Sequence, residues 1–315
     1  MSLLEQFSSA LFMDKASLKS FIYTAPRRYK RYPIPKKNGN GFRIIAQPSK
    51  QIKSLQRLGI SLLAIFLKTH YSAHAYVEGK GIKTNAAAHQ GNDHLLKMDF
   101  KDFFHSITPD ILIKTLDKND EKKTLDEEDR YIISHLFFWK LRGNSPLRLS
   151  IGAPTSPIIS NAIMYDFDEE IADYCADLNV RYTRYADDLT FSAKDRECLT
   201  TIPNEVNIVL RKNFGSKIRI NKEKTLHCNK SMNRSVTGVI LNNTNDSLSL
   251  GRKKKRMISS FVHRFSYSLL DQQEINYLNG ILGHAAHIEP QFVERLKEKY
   301  GQDVIAKIKA SIEYL

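Results

Sequence analysis

The chain is 315 residues long and carries 48 Lys and Arg against 34 Asp and Glu, a formal net charge of +14. Its apolar fraction of 42% supports sizeable cores and excludes general disorder, and its charge points to a polyanionic partner, most simply nucleic acid. No apolar run reaches the roughly 20 residues of a bilayer span, MSLLEQFSSALFMDK lacks the basic-then-apolar pattern of a leader, and Cys175, Cys198 and Cys228 match neither a disulfide framework nor a zinc knuckle, so a soluble intracellular protein without membrane contact is expected.

Residues 1–24 read as helical, with Asp14 or Ser17 as caps. Between Tyr29 and Ser49, two strand-like pieces flank KKNGNG, which reads as a basic hairpin turn carrying Lys36 and Lys37. Apolar residues every three or four positions predict a helix over Lys50–Leu67. GKGIKTNAAAHQG mixes glycine with a small helical patch, and HLLKMDF then predicts a buried strand ending at Asp99. Pro109–Trp139 reads as helices broken by DKNDEKKTLDEEDR. After a Gly/Pro turn, one long helix is predicted from Ser156 to Leu178.

RYTRYADDLTFSA, Arg181–Ala193, reads as strand, turn, strand, with a helix near Pro203–Phe214 after it. KIRINKEKT predicts a strand from Lys217, and SVTGVILNNTNDSLSL two more around a polar turn. Beyond GRKKKRMI the chain reads as helical to Leu315, with LKEKYGQDVIAKIKASIEY as a final amphipathic helix. This order predicts an α+β catalytic body with a basic helical appendage.

The chemistry lies in three carboxylates. Asp99 ends an apolar strand, and Asp187 and Asp188 sit in a tight turn. If that strand lies beside the hairpin, all three converge. Converging anionic oxygens at strand ends can hold magnesium, and two such ions support phosphoryl transfer. The plainer alternatives are ordinary turn residues for Asp187 and Asp188, and helix capping for Asp99 or Asp102.

LLKMDFKDFF, GAPTSPIISN, YTRYADDL and INKEKT occur in the order of four palm motifs of reverse transcriptases, and the chain resembles that family from about Arg28 to Arg256. FRIIAQPSK is similar to its finger segment. The resemblance implies a right-hand polymerase fold with fingers, an antiparallel-sheet palm and a mainly helical thumb. It divides the chain into 1–97 (N-terminal helices and fingers), 98–111 (palm), 112–148 (helical insertion), 149–238 (palm) and 239–315 (palm–thumb strands and RNA-binding thumb).

It implies catalytic roles for Asp99, Asp187 and Asp188, which with the Phe100 carbonyl would hold two magnesium ions, manganese substituting. Lys224, with Lys222 as a nearby competitor, matches the lysine that protonates leaving pyrophosphate. Arg43, Phe100, Phe104, Gly152 and Ala153 match positions around the incoming deoxynucleoside triphosphate. Phe104 would exclude a 2′-hydroxyl by overlap, unless it packs in the core as Phe103 does. Ser156 or Thr155 would cap the following helix. Ile151 stands where the family usually has glutamine, which removes one amide from that environment.

NAAAH, Asn85–His89, and VTG, Val236–Gly238, resemble two hallmarks of retron reverse transcriptases. Asn85 and His89 would share one helix face, to order a loop or touch RNA, and Gly238 in a strand would permit a close approach. Val236 and Thr237 join them as RNA-facing candidates. Arg252, Lys253, Lys254, Lys255 and Arg256, followed by Phe261, His263, Arg264 and Phe265, form a basic stretch interleaved with aromatics, suited to phosphates and exposed bases. His284 and His287 read as packing or RNA-facing residues.

The resemblance implies a bacterial cytoplasmic enzyme that copies a cognate structured noncoding RNA. It would prime from the 2′-hydroxyl of an internal guanosine to give branched multicopy single-stranded DNA, in antiphage defence with a separate effector. The alternatives are a nonretron bacterial reverse transcriptase and a catalytically inactive RNA-binding protein with a polymerase fold.

Overall fold

The computed structural model describes residues 2–35, 41–141, 143, 145–243 and 247–311. The elements in chain order are α1 Leu3–Leu11, α2 Lys15–Thr24, β1 Tyr29–Pro35, β2 Phe42–Pro48, α3 Lys50–Leu63, α4 Ile82–Ala87, β3 His94–Asp99, α5 Phe103–Ser106, α6 Pro109–Asn119 and α7 Glu127–Phe137. Then come α8 Ser156–Ile163, α9 Tyr165–Asp177, β4 Arg181–Tyr185, β5 Asp188–Ala193, α10 Ile202–Phe214, β6 Leu226–Cys228, β7 Ser235–Val236, β8 Val239–Leu241 and β9 Leu248–Ser249. Four helices close the order: α11 Arg252–Ser266, α12 Gln272–Ile288, α13 Pro290–Tyr300 and α14 Gln302–Ala310.

The result is a mixed α+β fold with antiparallel sheets. The central sheet runs β4-β5-β3-β6, β1 and β2 form a separate hairpin, and β7, β8 and β9 form a small sheet. Lys36 and Lys37, predicted in the turn between β1 and β2, lie outside the described residues. Asp14 is the cap of α2, accepting from the Ser17 N–H at 2.9 Å, so Ser17 is not.

Two cores hold these layers. The larger packs α1–α3 and α6–α10 onto the central sheet through residues such as Met98, Phe100, Phe167 and Phe191. The smaller joins the β7–β9 sheet to α11–α14, through Val236, Val239, Ile258, Val262 and Leu278. Ala86 of α4 belongs to this second core, with Ile82 of the same helix packed against it.

Four predicted elements differ. The helix over Ser156–Leu178 breaks at Met164, which ends α8 and starts α9 with ψ 0°. Asn161 before the break and Asp168 after it both bond one buried guanidinium. The strand predicted from Lys217 reduces to an isolated bridge between Ile220 and Phe100, and the paired strand is β6. The last helix divides at Gly301, whose φ of 96° suits glycine after a helix C-terminus. VTG is a turn: Val236 pairs with Val239, and Thr237 and Gly238 both take positive φ, as type I′ hairpins require.

The guanidinium is Arg184 of β4, which with Asp168 is wholly buried. Its Nε donates to Asp168 Oδ1 at 2.8 Å and its second terminal nitrogen to Oδ2 at 2.6 Å. The remaining amino group donates to Asn161 Oδ1 at 3.1 Å and to the Ala186 carbonyl at 3.2 Å, in the turn before Asp187. Tyr182 donates to the same aspartate at 2.7 Å. Breaking such a pair leaves one charge unsolvated and unpaired. Asp168→Asn is therefore expected to cost about 3–5 kcal/mol of unfolding free energy. Glu128→Gln, which breaks the exposed Lys19–Glu128 pair, should cost far less, because water screens that pair. Urea denaturation of both variants checks this, and equal losses would contradict it.

Candidate active site

β4 and β5 are joined by a two-residue turn, Ala186–Asp187, with Ala186 at φ 55°. β3 pairs antiparallel with β5 in a register that sets Asp99 directly opposite Asp188. The Phe100 N–H donates to the Asp187 carbonyl at 3.0 Å, which ties the turn to the end of β3. The sheet thus brings three carboxylates from two distant segments to one end, within electrostatic reach of each other. Asp99 is buried, Asp187 half-buried and Asp188 exposed at the rim.

Loss of surrounding water raises the Asp187 carboxyl, and the Asp99 charge raises it further, while Arg43 and Lys224 oppose the rise. Asp188 is pushed up to about 6 by loss of water first, then by Asp187 and Asp99. Both shifts come first from loss of water and second from neighbouring carboxylates, and a cation would relieve the second. Lys224 Nζ donates to Asp99 Oδ2 at 2.8 Å. Desolvation works against the lysine charge, but the Asp99 hydrogen bond and the three carboxylates outweigh it and raise its pKa. Lys222 makes no such bond to the site among the described residues.

Among the described residues, no group of three His, Cys, Asp or Glu side chains is drawn together as a metal-holding cluster. The donor set nevertheless fits a hard divalent ion, because it offers carboxylate oxygens under mutual repulsion at a strand end.

Phe100 stacks on Phe103 at 5.1 Å and meets Phe167 edge-on at 5.8 Å, so its ring is core and only its backbone borders the site. Phe104 is half-buried and packs edge-on against Phe103 at 5.5 Å. Arg43 is exposed on β2. A Cβ on Gly152, at φ 120°, would come within 3.1 Å of Ile45 Cγ2 and 3.2 Å of the Ala46 carbonyl. The close approach there is that of β2, and the Ala46 N–H bonds Ile151 at 2.9 Å. Ala153 is buried beside it. Thr155 occupies the cap position of α8 without a side-chain cap bond, and the buried Thr155 and Ser156 hydroxyls have no partner among the described residues. Neither therefore caps α8 as expected.

Past Asp99, on the β2 side, lies a cavity of about 520 Å³ whose lining includes Lys101, Asp102, His105, Arg148, Lys217 and Arg219. Lys217 is paired with Asp110. Arg148 Nε and His105 Nε2 are buried without a partner among the described residues. The excess of cations suits an anion with several charges.

Asn85 and His89 are fully buried and face protein atoms. His89 Nδ1 lies 2.7 Å from the Ser192 hydroxyl, and Nε2 lies 2.7 Å from the Thr183 hydroxyl. Arg252 to Arg256 form the first turns of α11, where Lys255 pairs with Glu289 at 3.0 Å. Sequence reasoning misses Arg184 and Asp168. Arg184 precedes the aspartates by three positions and carries a signal only in hindsight of its burial. Asp168 reads as one more acidic residue on a helix.

A family model described as reverse transcriptase (RNA-dependent DNA polymerase) matches residues 34–279. The retron Ec83 reverse transcriptase of Escherichia coli is 44% identical over 283 residues, 89% of each chain. The chain belongs to the retron reverse transcriptases. The retron Mx65 reverse transcriptase of Myxococcus xanthus is 30% identical, over 94% of this chain and 70% of its own. The retron Ec73 reverse transcriptase of Escherichia coli is 29% identical, over 90% and 91%. In fold, this reverse transcriptase resembles telomerase from Candida albicans, with a TM-score of 0.51 at 12% identity, over 90% of this chain and 61% of that one. By family it is an RNA-directed DNA polymerase, a nucleotidyltransferase. No helix among its described residues is long and apolar enough to cross a membrane.

Burial pushes His89 down to about 3, with the His74 and Arg181 charges adding to the effect. The unfolded chain takes up a proton near pH 6.5 that the native state refuses, so stability is present above that pH and lost below it. From pH 6.5 down toward 3, His89 alone removes about 1.4 kcal/mol per pH unit. In His89→Gln, the loss between pH 7.5 and 5 should shrink by about 2 kcal/mol in urea titrations. An unchanged loss would contradict the buried neutral imidazole.

Proposed function

We propose that the protein copies a cognate structured noncoding RNA, using a 2′-hydroxyl of an internal guanosine as primer, to make branched multicopy single-stranded DNA. The observation that carries this reading is the opposition of Asp99 and Asp188, with Asp187 on the adjoining turn, in a chain of the retron family. The β1–β2 hairpin and N-terminal helices, 1–97, act as fingers. The palm is 98–111 and 149–238, with 112–148 as helical insertion. The β8–β9 strands and C-terminal helices, 239–315, act as thumb. The RNA–DNA product and a separate effector are the partners, in antiphage defence within the bacterial cytoplasm.

Two magnesium ions, or manganese in their place, would be held by Asp99, Asp187, Asp188 and the Phe100 carbonyl, and would acidify the attacking hydroxyl and screen the phosphates. The attacking oxygen bonds to the α-phosphorus of a deoxynucleoside triphosphate as the bond to the bridging oxygen breaks. Lys224, released from Asp99, gives its proton to the departing pyrophosphate. Arg43 and the cations of the neighbouring cavity hold the triphosphate. Phe104 presents its ring to the sugar and leaves no room for a 2′-hydroxyl. Gly152 and Ala153 keep this wall low. The basic first turns of α11 take phosphates of the RNA.

One primer-extension assay tests the two central roles. Asp187→Asn with Asp188→Asn should lower DNA synthesis by at least about a thousandfold while RNA binding persists. Phe104→Ala should raise ribonucleotide incorporation about tenfold or more. Full synthesis by the first variant, or unchanged sugar choice in the second, would overturn the respective role.

A further inference from the structure

The two retron hallmarks are about 150 positions apart in sequence, yet one contact separates them in space. Asn85 Nδ2 lies 3.5 Å from Thr237 Oγ1, and Thr237 Oγ1 donates to the Ile82 carbonyl at 3.3 Å. Thr237 holds φ 48°, a region that β-branched residues avoid. Its hydroxyl bonds to α4 help to keep it there.

Further residues of the two motifs extend this contact. Ala86 is fully buried in the second core beside Val236 and Val239, which pack with α11 and α12. His89, just after α4, reaches the other way and bonds Thr183 on β4 and Ser192 on β5. Gly238, at φ 80°, completes the turn that presents Thr237. A parallel link runs from Lys97 on β3, whose Nζ donates to the Ser235 carbonyl at 3.2 Å. The short helix α4 is thus fixed to the catalytic hairpin at one end and, along its flank, to the β7–β9 sheet, whose core the basic C-terminal helices share.

We propose that the two motifs are the halves of a single joint, which sets the C-terminal helices against the catalytic hairpin and so sets where a nucleic acid held by those helices meets the carboxylates. Asn85, His89 and Thr237 are positioning residues, because they act through the hairpin and the C-terminal core. The joint gives the two segments one role in this chain: Asn85 and Ala86 meet the VTG turn and its sheet, and His89 holds the hairpin. It rests on the polymerase reading for its consequence, but not for its existence.

The test compares Thr237→Val, which loses the hydroxyl, with Thr237→Ser, which keeps it, in the full-length protein. The joint predicts a kcat for DNA synthesis about tenfold or more lower in Thr237→Val, RNA affinity within about twofold of the parent, and recovery in Thr237→Ser. Adding Asn85→Ala to Thr237→Val should cost less than the product of the single losses. Weakened RNA affinity with unchanged kcat would make Thr237 an RNA contact and overturn the joint. A lower melting temperature with kcat intact well below it would overturn the positioning role. Amide exchange over Ser235–Leu241 tests the joint without turnover: His89→Gln and Asn85→Ala should each speed it, even if the polymerase reading fails, and unchanged protection would overturn it.

Discussion

Three carboxylates have to be kept close although they repel each other, and the pairing of β3 with β5 is what keeps them so. The register from His94 opposite Ala193 to Asp99 opposite Asp188 is anchored by buried residues along both strands. A slip of one residue would turn Leu96, Met98, Leu189 and Phe191 to the wrong face, so burial enforces a register that electrostatics alone would not choose. The cost of crowding stays visible in the raised carboxyls of Asp187 and Asp188. Lys224 offsets part of it at Asp99.

The other features support that pairing at increasing distance. Arg184 lies beneath the turn and fastens the Ala186 carbonyl, while Asp168 and Asn161 satisfy the rest of its guanidinium. Asn161 comes from α8 and Asp168 from α9, on either side of the break at Met164. His89 pins the far end of the same hairpin, and α4 carries the connection to the basic helices. Charge then differs between the two regions: carboxylates gather at the end of β3 and β5, and α11 opens with five consecutive basic residues.

Much of this is legible in the residues. Alternation and strand-forming residues predict β3, β4 and β5, and the motifs name the carboxylates. Their convergence is conditional in the sequence, because no local pattern states that β3 lies beside β5. The break at Met164 is hidden, since IMYDF continues a helix by propensity. KIRIN has the alternation of a strand but finds a partner only at Phe100. Gly301 does carry a stop signal, which the amphipathic period on both sides conceals. VTG shows best what sequence withholds: threonine at positive φ contradicts local preference, and only the contact with α4 accounts for it.

The most direct test of the account is to isolate the protein with its nucleic acid from its native host and examine the linkage between RNA and DNA. The account predicts single-stranded DNA joined to a defined RNA through a 2′–5′ bond at one guanosine, separable by a debranching enzyme. Unbranched DNA copied from unrelated RNAs would contradict it.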